Sequence, residues 1–220
     1  MKRVFAILTA LLLFCTMAAC TGTDNQSDSN SSQTAQKENL SADGGSSISN
    51  ENEPAAEGEK NVLVAYFSAT GNTENIARHI QTILDADLYE IVPEEPYTDE
   101  DLNYSDDNCR ANREQNDPNA RPAITGTLEH LEDYDVLFLG YPIWWGQSPK
   151  IIYTFLERYD FDGVTIIPFC TSGSSGIGSS AENLHALVPD ANWLAGQRFD
   201  GGASQEEVAA WVEKLELPQS

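Results

Sequence analysis

Residues Val62 to Ala77, V-L-V-A-Y-F-S-A-T-G-N-T-E-N-I-A, constrain this chain more than any other stretch. Val62–Phe67 is a short apolar run rich in β-formers, fit for one buried strand. It breaks at once into Ser68, Ala69, Thr70, Gly71, Asn72 and Thr73, after which Ile76, Ala77, Ile80, Ile83 and Leu84 recur at helical spacing. A strand, a hydroxyl-rich turn and a helix start together make a place for an anion. Backbone N–H groups, the hydroxyls of Ser68, Thr70 and Thr73, and the positive end of the helix dipole converge there. The turn carries no lysine, which sets aside the G-x-x-x-x-G-K-[ST] motif and ATP or GTP hydrolysis with it. A plain βα turn with Thr73 as helix N-cap explains the same residues and stays open at this point.

The 220 residues do not all belong to one domain. Residues 1–20 open with Lys2 and Arg3, continue through an apolar run from Val4 to Phe14, and end in small residues before a cysteine, which reads as a secretory signal peptide. Met17-Ala18-Ala19-Cys20 resembles the lipobox of bacterial lipoproteins, and that resemblance implies lipidation of Cys20. The expected location is extracytoplasmic, lipid-anchored to the bacterial cell membrane. Residues 21–60 are Ser, Asn, Gln, Asp and Glu with almost no large apolar side chain, a composition expected of a disordered polar tether. Residues 61–220 are long enough for one well-cored domain.

A formal net charge of −23 argues against nucleic acid and against direct adhesion to anionic lipid. It suits a basic protein partner, or simply a solvated acidic surface. Of the four cysteines, Cys15 falls in the leader and Cys20 is the proposed anchor, leaving Cys109 and Cys170. No metal-ligand spacing exists. An oxidising compartment permits a bond between Cys109 and Cys170, and the sequence alone leaves open whether they lie within reach of each other.

Within 61–220 the pattern alternates. A second strand is expected at Leu88–Val92. Then comes a long polar segment, 94–127, where Thr98-x-x-Asp101 has capping-box form and predicts a helix over roughly 99–115. Arg110, Arg113 and Arg121 gather there. They either pair with Asp106, Asp107, Glu114 and Asp117 or offer cations to a ligand. A brief helix at 128–131 precedes a third strand, 134–140. Ser148 as N-cap and Pro149 as first residue are expected to open a helix bearing Ile151, Ile152, Phe155, Leu156 and Tyr159. A fourth strand runs from Gly163 to Cys170. Pro168 inside it demands either an irregularity or a free N–H side. Ser179-Ser180-Ala181-Glu182 predicts a cap for the next helix, a short strand is expected at Trp193–Leu194, and Ser204 with Glu207 caps a last helix carrying Val208, Trp211, Val212 and Leu215.

Alternating β and α elements with buried strands specify a doubly wound five-stranded parallel sheet of α/β class, in strand order 2-1-3-4-5. Ligands of such sheets sit outside the carboxyl ends of the strands, at the switch point. Three unusual loops fall there: the hydroxyl turn, the aromatic turn Tyr141-Pro142-Ile143-Trp144-Trp145-Gly146-Gln147, and the Ser/Gly loop Thr171-Ser172-Gly173-Ser174-Ser175-Gly176-Ile177-Gly178. An anion site, a flat aromatic surface and a run of accessible backbone N–H groups together describe a flavin mononucleotide, with Trp144 or Trp145 on its ring.

These residues resemble the flavodoxin family. Ser68-Ala69-Thr70-Gly71-Asn72-Thr73 is similar to its [ST]-x-T-G-x-T phosphate loop, in place after the first strand. Y-P-I-W-W-G and F-C-T-S-G-S-S-G-I-G resemble flavin-ring loops of a flavodoxin-like branch. The resemblance spans about 60–218 and implies noncovalent FMN, with the phosphate on 68–73. The cofactor-binding residues it implies are Ser68, Thr70, Gly71, Asn72, Thr73, Pro142, Ile143, Trp144, Trp145, Gly146, Thr171, Ser172, Gly173, Ser174, Gly176 and Gly178.

Three functions fit this reading. One is an electron carrier passing one or two electrons to a redox partner protein or small-molecule acceptor. Another is an NAD(P)H-dependent quinone or flavin reductase whose pocket is built by the 93–127 insertion. The third is a non-redox interaction module. No G-x-S-x-G elbow and no C-x5-R loop is present, which disfavours hydrolysis.

Overall fold

The computed structural model describes residues 61–217. The expected leader with Cys20, the expected tether at 21–60 and residues 218–220 lie outside the described residues.

Strands β1 (Val62–Tyr66), β2 (Asp87–Glu90), β3 (Val136–Pro142), β4 (Thr165–Thr171), β5 (Asn192–Trp193) and β6 (Gln197–Phe199) form one parallel sheet in the order β2-β1-β3-β4-β5, with β6 also paired to β4. The expected five positions are there, and the outermost is filled by two short strands in succession. Pro168 explains the split. β5 pairs with Thr165 and Ile166, β6 pairs with Phe169 to Thr171, and the proline stands between them where no ladder bond to the edge is required. On its other side Pro168 stays in register with Leu139 of β3.

Period-two alternation sends side chains to two separate cores. Val64, Tyr66, Val136, Phe138, Ile167 and Phe169 meet helix α1 (Asn72–Leu84) and helix α5 (Gln205–Val212) on one face. Leu63, Ala65, Phe67, Leu137, Leu139 and Tyr141 meet helix α3 (Lys150–Arg158) and the crossover between β2 and β3 on the other. The helices are amphipathic as expected: Ile76, Ala77 and Ile80 of α1, and Ile151, Ile152, Phe155 and Leu156 of α3, are buried.

Several local expectations are corrected. The Thr98–Asp101 box exists, with Thr98 N donating to Asp101 Oδ2 at 3.0 Å and Asp101 N to Thr98 Oγ1 at 3.2 Å, but no long helix follows. Asn103 and Asp106 accept from backbone N–H groups two residues on, and such Asx turns compete with helix. Helix α2 is therefore only Arg110–Asn116, capped by Cys109. The brief helix falls at Leu131–Asp133 as a 3-10 turn. Pro149, not Ser148, holds the N-cap position of α3. The Ser179–Glu182 box does not form: Ala181 holds the N-cap position of helix α4 (Glu182–His185) with no side-chain cap, Ser179 Oγ accepts from Gln147 Nε2, and the Ser180 hydroxyl donates to Ile177 O and pairs with Tyr141 Oη. Ser204 does cap α5, accepting from Glu207 N at 3.3 Å. Cys109 and Cys170 are both buried and free.

The crossover is a closed excursion. Pro93 and Ile124 bridge its two ends, with Glu94 N donating to Ala123 O and Thr125 N to Val92 O. The arginines are spent inside it or on α3. Arg110 pairs with Glu114 at 2.7 Å and lies 4.1 Å from the Tyr97 ring centroid; Arg113 donates to Asn108 O; Arg121 pairs with Glu157 at 2.6 Å.

Gly140 of β3 lies directly under its register partner Phe169, and a Cβ there would come within 2.2 Å of the buried ring. Gly140→Ala is expected to cost about 1–3 kcal/mol, the usual range for overpacking. A lowered urea midpoint at unchanged slope checks it, with partial recovery in Gly140→Ala/Phe169→Leu.

Candidate functional site

Four loops leave the carboxyl ends of the inner strands and β6 and enclose a cleft of about 430 Å³, within the size range of small-molecule sites. Ser68, Ala69, Thr70, Asn72 and Thr73 come from the turn after β1; Pro142, Ile143 and Trp144 from the turn after β3; Thr171, Ser172 and Gly173 from the loop after β4; Gly201 and Gly202 from the loop after β6. Leu102 and Tyr104 of the crossover complete the wall. A larger hollow of about 790 Å³ lies at the other end of the sheet, between residues 128–135 and 158–164. Its lining includes five carboxylates, Arg158 and His130, and none of the described buried side-chain atoms that lack a partner belongs to it.

The hydroxyl turn is shaped by Gly71. At φ +82° it takes the left-handed conformation that a side chain resists, and it serves as N-cap of α1. Thr73 is thus not the cap but sits inside the first helical turn, 1% exposed. Its Oγ1 lies 2.8 Å from Thr171 Oγ1 at the end of β4. Two hydroxyls joined by one hydrogen bond keep one O–H unspent, and no described residue takes it. Ser68 Oγ is buried and unpartnered. Asn72 Nδ2 donates to Thr70 Oγ1 at 3.1 Å, and Asn75 Nδ2 donates to Gly201 O at 3.1 Å. The first N–H groups of α1, which a helix leaves without intrahelical acceptors, open beside these hydroxyls.

The aromatic turn divides its two tryptophans. Trp144 is 4% exposed and meets Phe67 and Tyr97 edge-on, at centroid distances of 5.6 and 5.0 Å. Gln115 Nε2 donates to the carbonyls of Trp144 and Ser148, tying α2 to this turn. Trp144 and Gln147 exchange two backbone hydrogen bonds of 2.9 Å around Trp145 (φ +46°) and Gly146 (φ +78°), a two-residue type I′ hairpin. For Trp145 that conformation costs about 1–2 kcal/mol. Trp145 takes no part in lining the cleft: it is 38% exposed and stacks on Tyr104 at 4.3 Å.

Of the other expected residues, Gly71 and Gly146 shape turns without lining the cleft, and Ser174, Gly176 and Gly178 lie farther along the exposed Ser/Gly loop. Ser172 Oγ fastens that loop by accepting from Ser174 N and Ser175 N. Burial pushes the Cys170 thiol up to about 12, so it stays protonated. Among the described residues no group of His, Cys, Asp or Glu side chains is arranged to hold a metal. Sequence reasoning missed Leu102, Tyr104, Gly201 and Gly202. Asp200-Gly201-Gly202, a turn signal after a short strand, was the available clue to the fourth loop. Gly201 is needed for contact, since a Cβ there would lie 2.5 Å from the Asn72 side chain.

A family model described as flavodoxin matches residues 61–215. The chain belongs to the flavodoxin family. No curated protein matches it. Among solved structures, a candidate flavoprotein from Bacteroides eggerthii is 42% identical, with a TM-score of 0.68 over 72% of this chain and 99% of that one. Another from Bacteroides uniformis is 43% identical, with a TM-score of 0.68 over 71% and 100%. A flavoprotein from Lactobacillus acidophilus, solved in complex with FMN, is 23% identical with a TM-score of 0.50 over 70% and 99%; at that distance it shows the shared fold. The flavodoxin-like order 2-1-3-4-5 of the sheet agrees with this membership.

Because Thr73 and Thr171 are both buried, losing one leaves the other hydroxyl poorly satisfied. Thr73→Val is expected to destabilise the protein by about 1–3 kcal/mol. Thr73→Val/Thr171→Val should cost less than the sum of the single changes, as a double-mutant cycle in urea will show.

Proposed function

We propose that this flavodoxin-family chain binds FMN in the 430 Å³ cleft and exchanges one or two electrons at a time with a partner protein or a small-molecule acceptor. The observation that carries the reading is Ser68 Oγ, a buried hydroxyl without a partner on the loop of [ST]-x-T-G-x-T form. The unspent hydroxyl hydrogen of the Thr73–Thr171 pair and the left-handed Gly71 that opens α1 fit a phosphate in the same place. The fold of the FMN-bound Lactobacillus flavoprotein supports the choice of flavin.

FMN, when bound, supplies the one- and two-electron chemistry. The chain's own residues would hold and shield it. Ser68, the Thr73–Thr171 pair and the first N–H groups of α1 would hold the phosphate dianion without lysine. Thr70 and Asn72, bonded to each other, keep the turn open. Pro142, Ile143 and the buried Trp144 line the cleft together and would keep water from a bound ring, while Ser172 and Gly173 would offer it backbone groups. The lipobox-like run ending in Cys20 supports the further reading that the protein works outside the cytoplasmic membrane, held there by a lipid. The reductase alternative draws no such support, because Arg110 and Arg121 are paired with carboxylates and Arg113 with a backbone carbonyl, leaving none of the three for a nicotinamide nucleotide.

Titration of the purified protein with FMN should quench flavin fluorescence saturably at one equivalent. Riboflavin, which lacks the phosphate, should bind at least tenfold more weakly. Ser68→Ala removes a hydrogen bond to a charged group, worth about 1.5–3 kcal/mol, and so should weaken FMN by about tenfold or more while leaving riboflavin unchanged. Absence of quenching by the unmodified protein would remove the proposal.

A further inference from the structure

Ser172, the first residue after β4, has its two backbone groups fixed by different means. Its N–H donates to Phe199 O at 3.1 Å, and the carbonyl before it, Thr171 O, accepts from Ile143 N at 2.9 Å, so the strand ladder settles that peptide. The next peptide, Ser172–Gly173, lies beyond the ladder and is held by one side chain: Arg198 Nη2 donates to Ser172 O. Gly173 N–H donates to no described residue. A trans peptide turns its C=O and N–H in opposite directions. Arg198 takes no part in lining the cleft, whereas Gly173 does. Tying the Ser172 carbonyl to Arg198 therefore turns it from the cleft and the Gly173 N–H toward it. The same Nη2 donates to Asp200 Oδ1 at 2.6 Å, just before the Gly201–Gly202 stretch of the fourth loop, so one side chain joins the loops after β4 and β6. Arg198 Nε is buried without a described partner, so the guanidinium is not placed to satisfy its own donors.

We propose that Arg198 is a positioning residue: it fixes the Ser172–Gly173 peptide so that the Gly173 N–H faces the polar edge of a bound flavin ring, and so raises the preference of the cleft for reduced FMN. This deepens the reading above and rests on it. The polar edge of the ring gains negative charge on reduction, and a donor aimed in advance favours the charged form over the neutral one. Orientation is the cause rather than charge, because the Asp200 carboxylate at 2.6 Å offsets the charge of the guanidinium. Without the arginine the peptide is free to turn over and present a carbonyl to the same edge.

Two measurements on the full chain test this. Without FMN, Arg198→Met should speed hydrogen exchange of the Ser174 and Ser175 amides at least fivefold, read by NMR, because both donate to Ser172 Oγ and that residue is no longer held in place. With FMN, the variant should lose about tenfold more affinity for the reduced form than for the oxidised one, which lowers the two-electron midpoint potential of the bound flavin by about 30 mV. Gly173→Pro removes the N–H itself and should produce the same tenfold change. Adding Arg198→Met to Gly173→Pro should lower the potential no further, as expected of two changes acting through one group. An unchanged potential in Arg198→Met would overturn the proposal, as would unchanged amide exchange without FMN. Additive losses in the double variant would overturn it too, by making Arg198 act through charge alone. Any of these results in a protein that binds FMN leaves the flavin reading standing without this one. Absence of FMN binding by the unmodified protein overturns both.

Discussion

Burial of β3 and β4 on both faces is the constraint from which the site follows. Every residue from Val136 to Tyr141 and from Thr165 to Thr171 is buried, so these strands have no solvent face on which to carry chemistry. Polar function is pushed to the strand ends, and in a parallel sheet the carboxyl ends of neighbouring strands lie together. The ladder continues into the loops themselves. Phe67 N donates to Gly140 O, Ile143 N to Thr171 O, and Ser172 N to Phe199 O. The turns therefore start from fixed backbone positions, and the Thr73–Thr171 hydroxyl pair closes the first of them against the third.

The crossover completes what the sheet begins. Its ends are pinned at Pro93 and Ile124, and its middle reaches over the strand ends to place Tyr97 against Trp144 and Tyr104 against Trp145. Tyr97 donates to Glu114 at 2.6 Å while Arg110 lies over its ring, so this part of the wall is ordered by its own polar contacts. Burial and the neighbouring Glu114 both push the Tyr97 hydroxyl up, keeping it protonated and able to donate. The arginines that looked available in the sequence are what hold the excursion together.

Sequence reasoning reached the sheet order, the strands and three of the four loops, because those signals are local: apolar runs, abrupt turns and helical periodicity. It went astray where a decision depends on distant partners. Thr98-x-x-Asp101 has the chemistry of a cap, but the Asx turns after it take the backbone elsewhere. Ser148 is well placed in sequence to cap α3, yet Pro149 takes that position and the serine hydroxyl is buried without a partner. Ser179 has the spacing of a cap to Glu182, yet Ala181 takes the N-cap position of α4 and the Ser179 hydroxyl accepts from Gln147 instead. Pro168 was legible as a conflict, though not in its resolution, since only the tertiary structure shows an outer strand divided into β5 and β6 around it. Leu102 and Tyr104 reach the cleft by a long polar route that no periodicity announces.

The paired tryptophans show local rules kept and broken within two adjacent residues. Trp144 obeys the rules: it is buried, touches two other aromatic rings, and its backbone closes a hairpin. Trp145 breaks them in two ways, by its left-handed backbone and by its exposure. A chain selected only to fold would hold Asn-Gly in that turn, and the Gly146 that follows is the residue such a turn requires. The departure is thus confined to one side chain, and the hairpin around it is otherwise built to the pattern. Because the turn is closed by reciprocal backbone bonds and clamped by Gln115, the ring is presented from a rigid support, and that rigidity is what lets the strain persist.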